Sequence, residues 1–193
     1  MKSHLGWYSR DYLPHFDRPG LVQAITFRLA DALPSEVLER WKLELAKESD
    51  LARDLETRKR VEAWIDAGHG CCALRDERIA SLVEDALLHF DGQRHRLLAW
   101  VVMPTHVHVL VETWERWPLA GLVQSWKTWT AREANLLLGK SGAFWQREYH
   151  DRFIRDGDHL RNVMRYIEQN PVKAGLCAHA DDWRWGSARR KAG

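Results

Sequence analysis

The sequence predicts an α+β fold, with helices packed mainly on one face of an antiparallel sheet. Three observations carry that prediction. Two runs rich in valine and leucine, His95–Met103 and His106–Glu112, are separated only by Pro104-Thr105, a link short enough to force antiparallel pairing. Elsewhere apolar residues recur at helical spacing in several stretches. Strand-like and helix-like segments are also intermingled along the chain, and 193 residues suffice for one domain with a real core.

The elements follow in order. Trp7, Tyr8, Arg10, Tyr12, His15 and Arg18 precede Pro19-Gly20 as an aromatic and basic strip without clear period, an arm that either stacks on bases or packs on the domain. Over Leu21–Leu29, Ile25, Phe27 and Leu29 alternate with Thr26 and Arg28, the mark of a half-buried strand. Pro34-Ser35 starts a long helical stretch to about Asp66, with Leu38, Trp41, Leu45, Ala52 and Leu55 on its apolar positions and Gly68 and Gly70 ending it. Asp76 is a plausible N-cap for the next helix, whose stripe is Leu82, Val83, Ala86, Leu87 and Phe90. After the hairpin, Leu119, Leu122, Val123, Trp126, Thr130, Ala134 and Leu137 mark a helix that Gly139 ends. A strand is expected near His150–Arg155. A last helix follows, capped by Asp158, carrying Leu160, Val163, Met164 and Ile167, and closed by Pro171. The order is compatible with a ferredoxin-like core. The chain reads as a single domain over 1–193, with an arm over 1–20, a helical elaboration over 34–91 and a basic tail over 176–193.

Bulk properties narrow the class. Net charge is only +2, yet residues 1–30 hold four basic and two acidic residues, 31–91 nine and fifteen, and 92–193 sixteen and ten. A positive C-terminal half beside an acidic middle points to a polyanionic partner on one side of the molecule. Three cysteines, two of them adjacent, match neither a metal-binding pair nor an even disulfide framework. With no leader-like start and no apolar run long enough to span a bilayer, the expected location is a reducing cytoplasm.

The chemistry concentrates in His106-Val107-His108. Alternate strand residues share a face, so the two imidazoles project together while Val107, Val109 and Val111 fill the other face. On the last helix Asn162, Tyr166 and Asn170 form a polar stripe at i, i+4 and i+8. Two neutral imidazoles and a carboxamide oxygen would leave positions open on a six-coordinate Mg²⁺ or Mn²⁺, where a phosphate can bind. A nearby cation also eases attack by a tyrosine, whose ordinary pKa is about 10. Read in isolation, Tyr166 is equally an amphipathic helix residue and Asn170-Pro171 a helix stop.

Val101–His108, Trp126-Lys127, Phe144–Arg147 and Arg165–Leu176 form an ordered set of motifs, with Gly6–Arg10 and Thr26–Leu29 beside them. That set resembles the REP-associated tyrosine transposases, within the single-tyrosine HUH transposase superfamily. The similar stretches cover most of the chain except parts of the acidic middle. The resemblance implies a ferredoxin-like or RRM-like domain that cuts single-stranded DNA at palindromic hairpins. Carried over, His106, His108 and Asn170 are the metal ligands for Mg²⁺ or Mn²⁺, and Tyr166 is the nucleophile that forms a 5′-phosphotyrosine. The protein would then be a cytoplasmic, nucleoid-associated endonuclease and strand transferase, acting as monomer or homodimer. One departure is Thr105, where the family often has Asn.

Other residues enter with less support. Tyr149, just after Trp145-Gln146-Arg147, is a rival nucleophile, without a ligand-competent amide at i+4. Arg10, Lys127, Arg147, Arg152, Arg155, Arg165 and Lys173 are candidates for phosphate contacts, and Trp7, Tyr8 and Trp145 for stacking on unpaired bases. Of the eleven tryptophans, Trp41 and Trp126 fall on apolar stripes and read as core. Two other functions compete: an RRM-like nucleic-acid-binding module without catalysis, and a phosphohydrolase using Glu112 on the histidine face.

Overall fold

A computed structural model describes residues 6–9 and 14–192. Strands β1 (Gly6–Ser9) and β2 (Pro14–Asp17) pair as a small antiparallel hairpin. Then come β3 (Val22–Arg28), α1 (Ser35–Glu44), α2 (Asp50–Asp66), α3 (Glu77–Leu88), β4 (His95–Val102), β5 (His106–Thr113), α4 (Leu119–Leu138), β6 (His150–Phe153), α5 (Gly157–Lys173) and α6 (Ser187–Ala192). The main sheet is antiparallel, in the order β4-β5-β3-β6. This is the ferredoxin-like arrangement, with α1–α3 and α4 as the two crossovers.

Alternation on β5 sorts the two faces. Val107, Val109 and Val111 are fully buried among Ile25, Phe27, Val83, Leu87, Leu122 and Trp126, so α3 and α4 cover that face. Burying each such aliphatic side chain contributes about 1.5–3 kcal/mol relative to exposure. Leu110 points the other way, joining Ala99, Val101, Met103 and Ile167, so α5 covers the face that carries the histidines. The helices therefore do not all share a face: the expected coverage holds for α3 and α4, and α5 is the exception.

Several local expectations are corrected. The helical stretch from Pro34 to Asp66 breaks between Glu44 and Asp50, because the Ser49 hydroxyl accepts from the Ala52 amide and caps a new helix. Asp156, not Asp158, caps α5 by accepting from the His159 amide at 2.7 Å. Pro171 does not close α5: it lies in the last turn, and the Asn170 carbonyl still accepts from Ala174. The described residues of the arm form β1–β2, packed on β6 through the buried His15, which meets Asp151 and lies 3.2 Å from Glu148. The basic tail is also structural. The Trp185 carbonyl accepts from the Val102 amide at 2.9 Å and the Trp183 indole donates to the Val102 carbonyl at 3.0 Å, covering the outer edge of β4. Among the described residues, no helix is long and apolar enough to cross a membrane.

Candidate metal and nucleophile site

The two imidazoles converge. His106 and His108 are 1% and 7% exposed, and their Nε2 atoms are 3.0 Å apart. Burial drives the pKa of His106 well below its ordinary value, with His108 and Arg28 adding to the effect; burial alone brings His108 to about 4. Both rings are therefore neutral near pH 7, the state a metal ligand needs. The hydrogen bonds also set the tautomer. The Thr105 hydroxyl donates to the Ile65 carbonyl at 3.2 Å, so towards His106 Nδ1, at 3.0 Å, it can only accept. The proton of His106 then sits on Nδ1 and the Nε2 lone pair is free. His108 Nδ1 has the matching partner, the Thr26 hydroxyl at 2.7 Å. Thr105 thus has a task of its own: it orients a histidine and ties the end of α2 to the hairpin turn.

Tyr166 and Asn170 approach from α5. The Tyr166 ring is 5.5 Å from that of His108, and the Lys173 ammonium lies 4.7 Å from the Tyr166 ring centroid. Burial raises the pKa of the phenol well above its ordinary 10.0, Glu62 and then Asp66 raise it further, and the Asn170 side chain pulls the other way. Asn170 is 1% exposed and its side chain faces the Tyr166 phenol, but among the described residues neither its Oδ1 nor its Nδ2 completes a hydrogen bond of ordinary geometry. An orphaned buried amide costs about 1–3 kcal/mol unless a ligand satisfies it. Two ligands about 2.1 Å from one octahedral ion, at right angles, stand about 3 Å apart, which is the spacing of the imidazole nitrogens. Neutral imidazoles, converging nitrogens and an unsatisfied amide fit a divalent cation.

One acidic neighbour was invisible to sequence reasoning. Asp66, the last residue of α2, places Oδ1 3.7 Å from His106 Nε2, and Asp66, His106 and His108 each offer a ligand atom within 4.8 Å of the others. Burial raises the Asp66 pKa and Lys173 lowers it. Nothing local in the sequence marked Asp66, since it ends a charge-rich helix after Ala63-Trp64-Ile65 and meets His106 only through the tertiary fold. Glu112, by contrast, is engaged by Arg96 at 2.7 Å at the far end of β5.

The remaining expected residues divide. Tyr149 is 1% exposed and its ring is 4.5 Å from that of His15, so this rival nucleophile is core. Trp145 is a correction: it is 6% exposed, packs edge-on against Phe27 and donates its indole proton to Thr130, leaving no open face for a base. Lys127 donates to the carbonyls of Gln146 and Arg147 at 2.6 and 2.7 Å, anchoring the segment before β6. Arg147, Arg152, Arg155 and Arg165 are exposed with Lys173, and Arg152 sits on the histidine face of the sheet, opposite Ala24. Tyr8 lies in β1, and Arg10 lies outside the described residues. The Arg28 guanidinium, held by Gln146 at 2.5 Å, was not expected beside His106 although Thr26–Leu29 had been singled out.

Comparison with known proteins gives a consistent result. Residues 75–170 match the family model described as "Transposase IS200 like". A Haemophilus influenzae protein bearing the name of a REP-associated tyrosine transposase is 28% identical over 103 residues, 48% of this chain, and the match spans only 58% of that relative's length. Among solved structures, a REP-associated tyrosine transposase bound to a REP hairpin has a TM-score of 0.57 at 19% identity, over 96% of this chain and 84% of that one. At that identity the likeness establishes the fold. His106, His108, Tyr166 and Asn170 all fall inside the matched stretch, and Asp66 outside it.

Proposed function

We propose that this chain, whose residues 75–170 match the IS200-like transposase family model, is a metal-dependent endonuclease and strand transferase for single-stranded, hairpin-forming DNA, with Tyr166 as nucleophile. The observation that carries the reading is that α5 sets Tyr166 against His108 of a buried, neutral histidine pair, with the buried Asn170 side chain one helical turn further on. His106, His108 and Asn170 would hold the cation, Mg²⁺ or Mn²⁺. When bound, such an ion supplies Lewis-acid stabilisation of charge on the phosphate.

The chain's own groups account for the rest. Tyr166 begins as a neutral phenol, since burial and the carboxylates of Glu62 and Asp66 oppose its ionisation. Its hydroxyl oxygen attacks the scissile phosphorus and gives up its proton. The bond from phosphorus to the 3′ oxygen breaks, and that oxygen leaves as a hydroxyl after taking a proton. A 5′-phosphotyrosine remains, which a second 3′-hydroxyl can open by the reverse step. Lys173, over the Tyr166 ring, is placed to neutralise phosphate charge, and Arg147, Arg152, Arg155 and Arg165, with Tyr8 and Arg10 of the N-terminal strip, are proposed DNA contacts.

A labelled hairpin oligonucleotide with Mn²⁺ should yield a covalent protein–DNA band, absent with chelator, with Tyr166→Phe and with His108→Ala. An adduct that survives Tyr166→Phe would sink the assignment. A binding module without chemistry is less well supported, because α5 covers the sheet face that such a module would present to bases.

A further inference from the structure

Asp66 comes from the helical elaboration, outside the stretch shared with the transposase family model, yet the fold delivers its carboxylate to the histidine pair. We propose that Asp66 is a fourth donor to the divalent cation, so that α2 closes the site which β5 and α5 hold open; this rests on the metal-site reading given above.

Four observations support the assignment. The first is distance. Donors around one six-coordinate ion stand about 3 Å apart when adjacent and about 4.2 Å when opposite. The separations of 3.0 Å between the imidazoles and 3.7 Å from Asp66 Oδ1 to His106 Nε2 fall in that span. The second is presentation. The Ile65 carbonyl accepts from both the Thr105 hydroxyl and the Gly68 amide, so the last turn of α2 is clamped to the turn that carries His106. Gly68, at φ +74°, then turns the chain away, a conformation other residues rarely adopt. The third is the donor set. His106, His108 and Asn170 supply no negative charge, and a carboxylate oxygen is the hard ligand that Mg²⁺ and Mn²⁺ favour. The fourth is the substrate. A carboxylate facing an approaching phosphate repels it unless a cation lies between, so Asp66 without a metal would oppose the bond-breaking step that Tyr166 is placed to perform.

Mn²⁺ alone, titrated into the full chain and followed by the electron-spin-resonance signal of the free ion, tests this without DNA. Wild type should bind one Mn²⁺ per chain and His108→Ala none. Asp66→Asn and Asp66→Ala should each weaken binding by on the order of 10-fold or more. Their metal-free melting temperatures, at or above that of wild type, would show that the loss is not unfolding. Asp66 is no ligand if both Asp66 variants bind Mn²⁺ within about twofold of wild type while His108→Ala loses it. If His108→Ala binds as well as wild type, or wild type binds nothing, the metal-site reading itself fails and the role of Asp66 falls with it.

Discussion

The two faces of the central sheet are built from the same strands and do opposite work. On one, Val107, Val109 and Val111 pack with Ile25 and Phe27 beneath α3 and α4, and the chemistry is uniformly apolar. On the other, His106 and His108 share the strand β5 with those valines, yet α5 sets Tyr166 against His108, with Asn170 one turn further along the helix. Because strand side chains alternate, one strand can anchor the core with its odd positions and display a histidine pair with its even ones. The apolar face holds that pair still. Precision on the polar face is thus bought on the other side of the sheet, and substitutions on the two faces should fail in different ways.

The largest contrast is between adduct formation and stability at Tyr166. Tyr166→Phe should abolish the covalent band while leaving the melting temperature nearly unchanged, because the packed ring remains. Loss of both together would mean that the hydroxyl is structural. Next, Ile25→Ala on the apolar face should cost about 2–5 kcal/mol in urea unfolding. The protein that remains folded should still form the adduct, and a specific loss of cleavage by folded Ile25→Ala would break the division between faces. A smaller effect of opposite sign is expected at Asn170: replacement by Leu should raise metal-free stability by about 1 kcal/mol, since the orphaned amide disappears, while Mn²⁺ binding falls.

The smallest effect concerns a polar exception near the end of the apolar face. Burial alone would lower the pKa of His15, but Asp151 and then Glu148 outweigh it and hold His15 above its ordinary 6.5. A histidine raised in the folded state stabilises it below about pH 6.5, and that contribution is lost as pH rises through the folded value. Melting temperatures should therefore decline as pH rises above about 6.5 in wild type, and the decline should be shallower in His15→Gln. Parallel curves would remove His15 from the account.

Local periodicity made much of this legible. Spacing within one element put the histidine pair on one strand face and Tyr166 and Asn170 on one helix stripe, and made the strands and most helices visible, while the choice of these four as a site came from the resemblance of the ordered motifs. What escaped depended on contacts distant in sequence. Asp66 reaches His106 from forty positions away in the sequence through the tether from Thr105 to Ile65. The break at Ser49 was hidden because apolar spacing continues across it, and only the cap reveals a second helix. Trp145 looked like a stacking ring because exposure cannot be read from aromaticity, and the tail was read only as basic because nothing in its charge indicates that Trp183 and Trp185 complete an edge.

The unsatisfied amide of Asn170 has an evolutionary consequence. On the proposed function, a gene copy no longer required to cut DNA would gain stability by placing an aliphatic side chain there, whereas a copy under selection for cleavage would keep the less stable choice. Drift towards Leu or Met at position 170, ahead of change at the core valines, would then mark a lineage that had stopped using the proposed site.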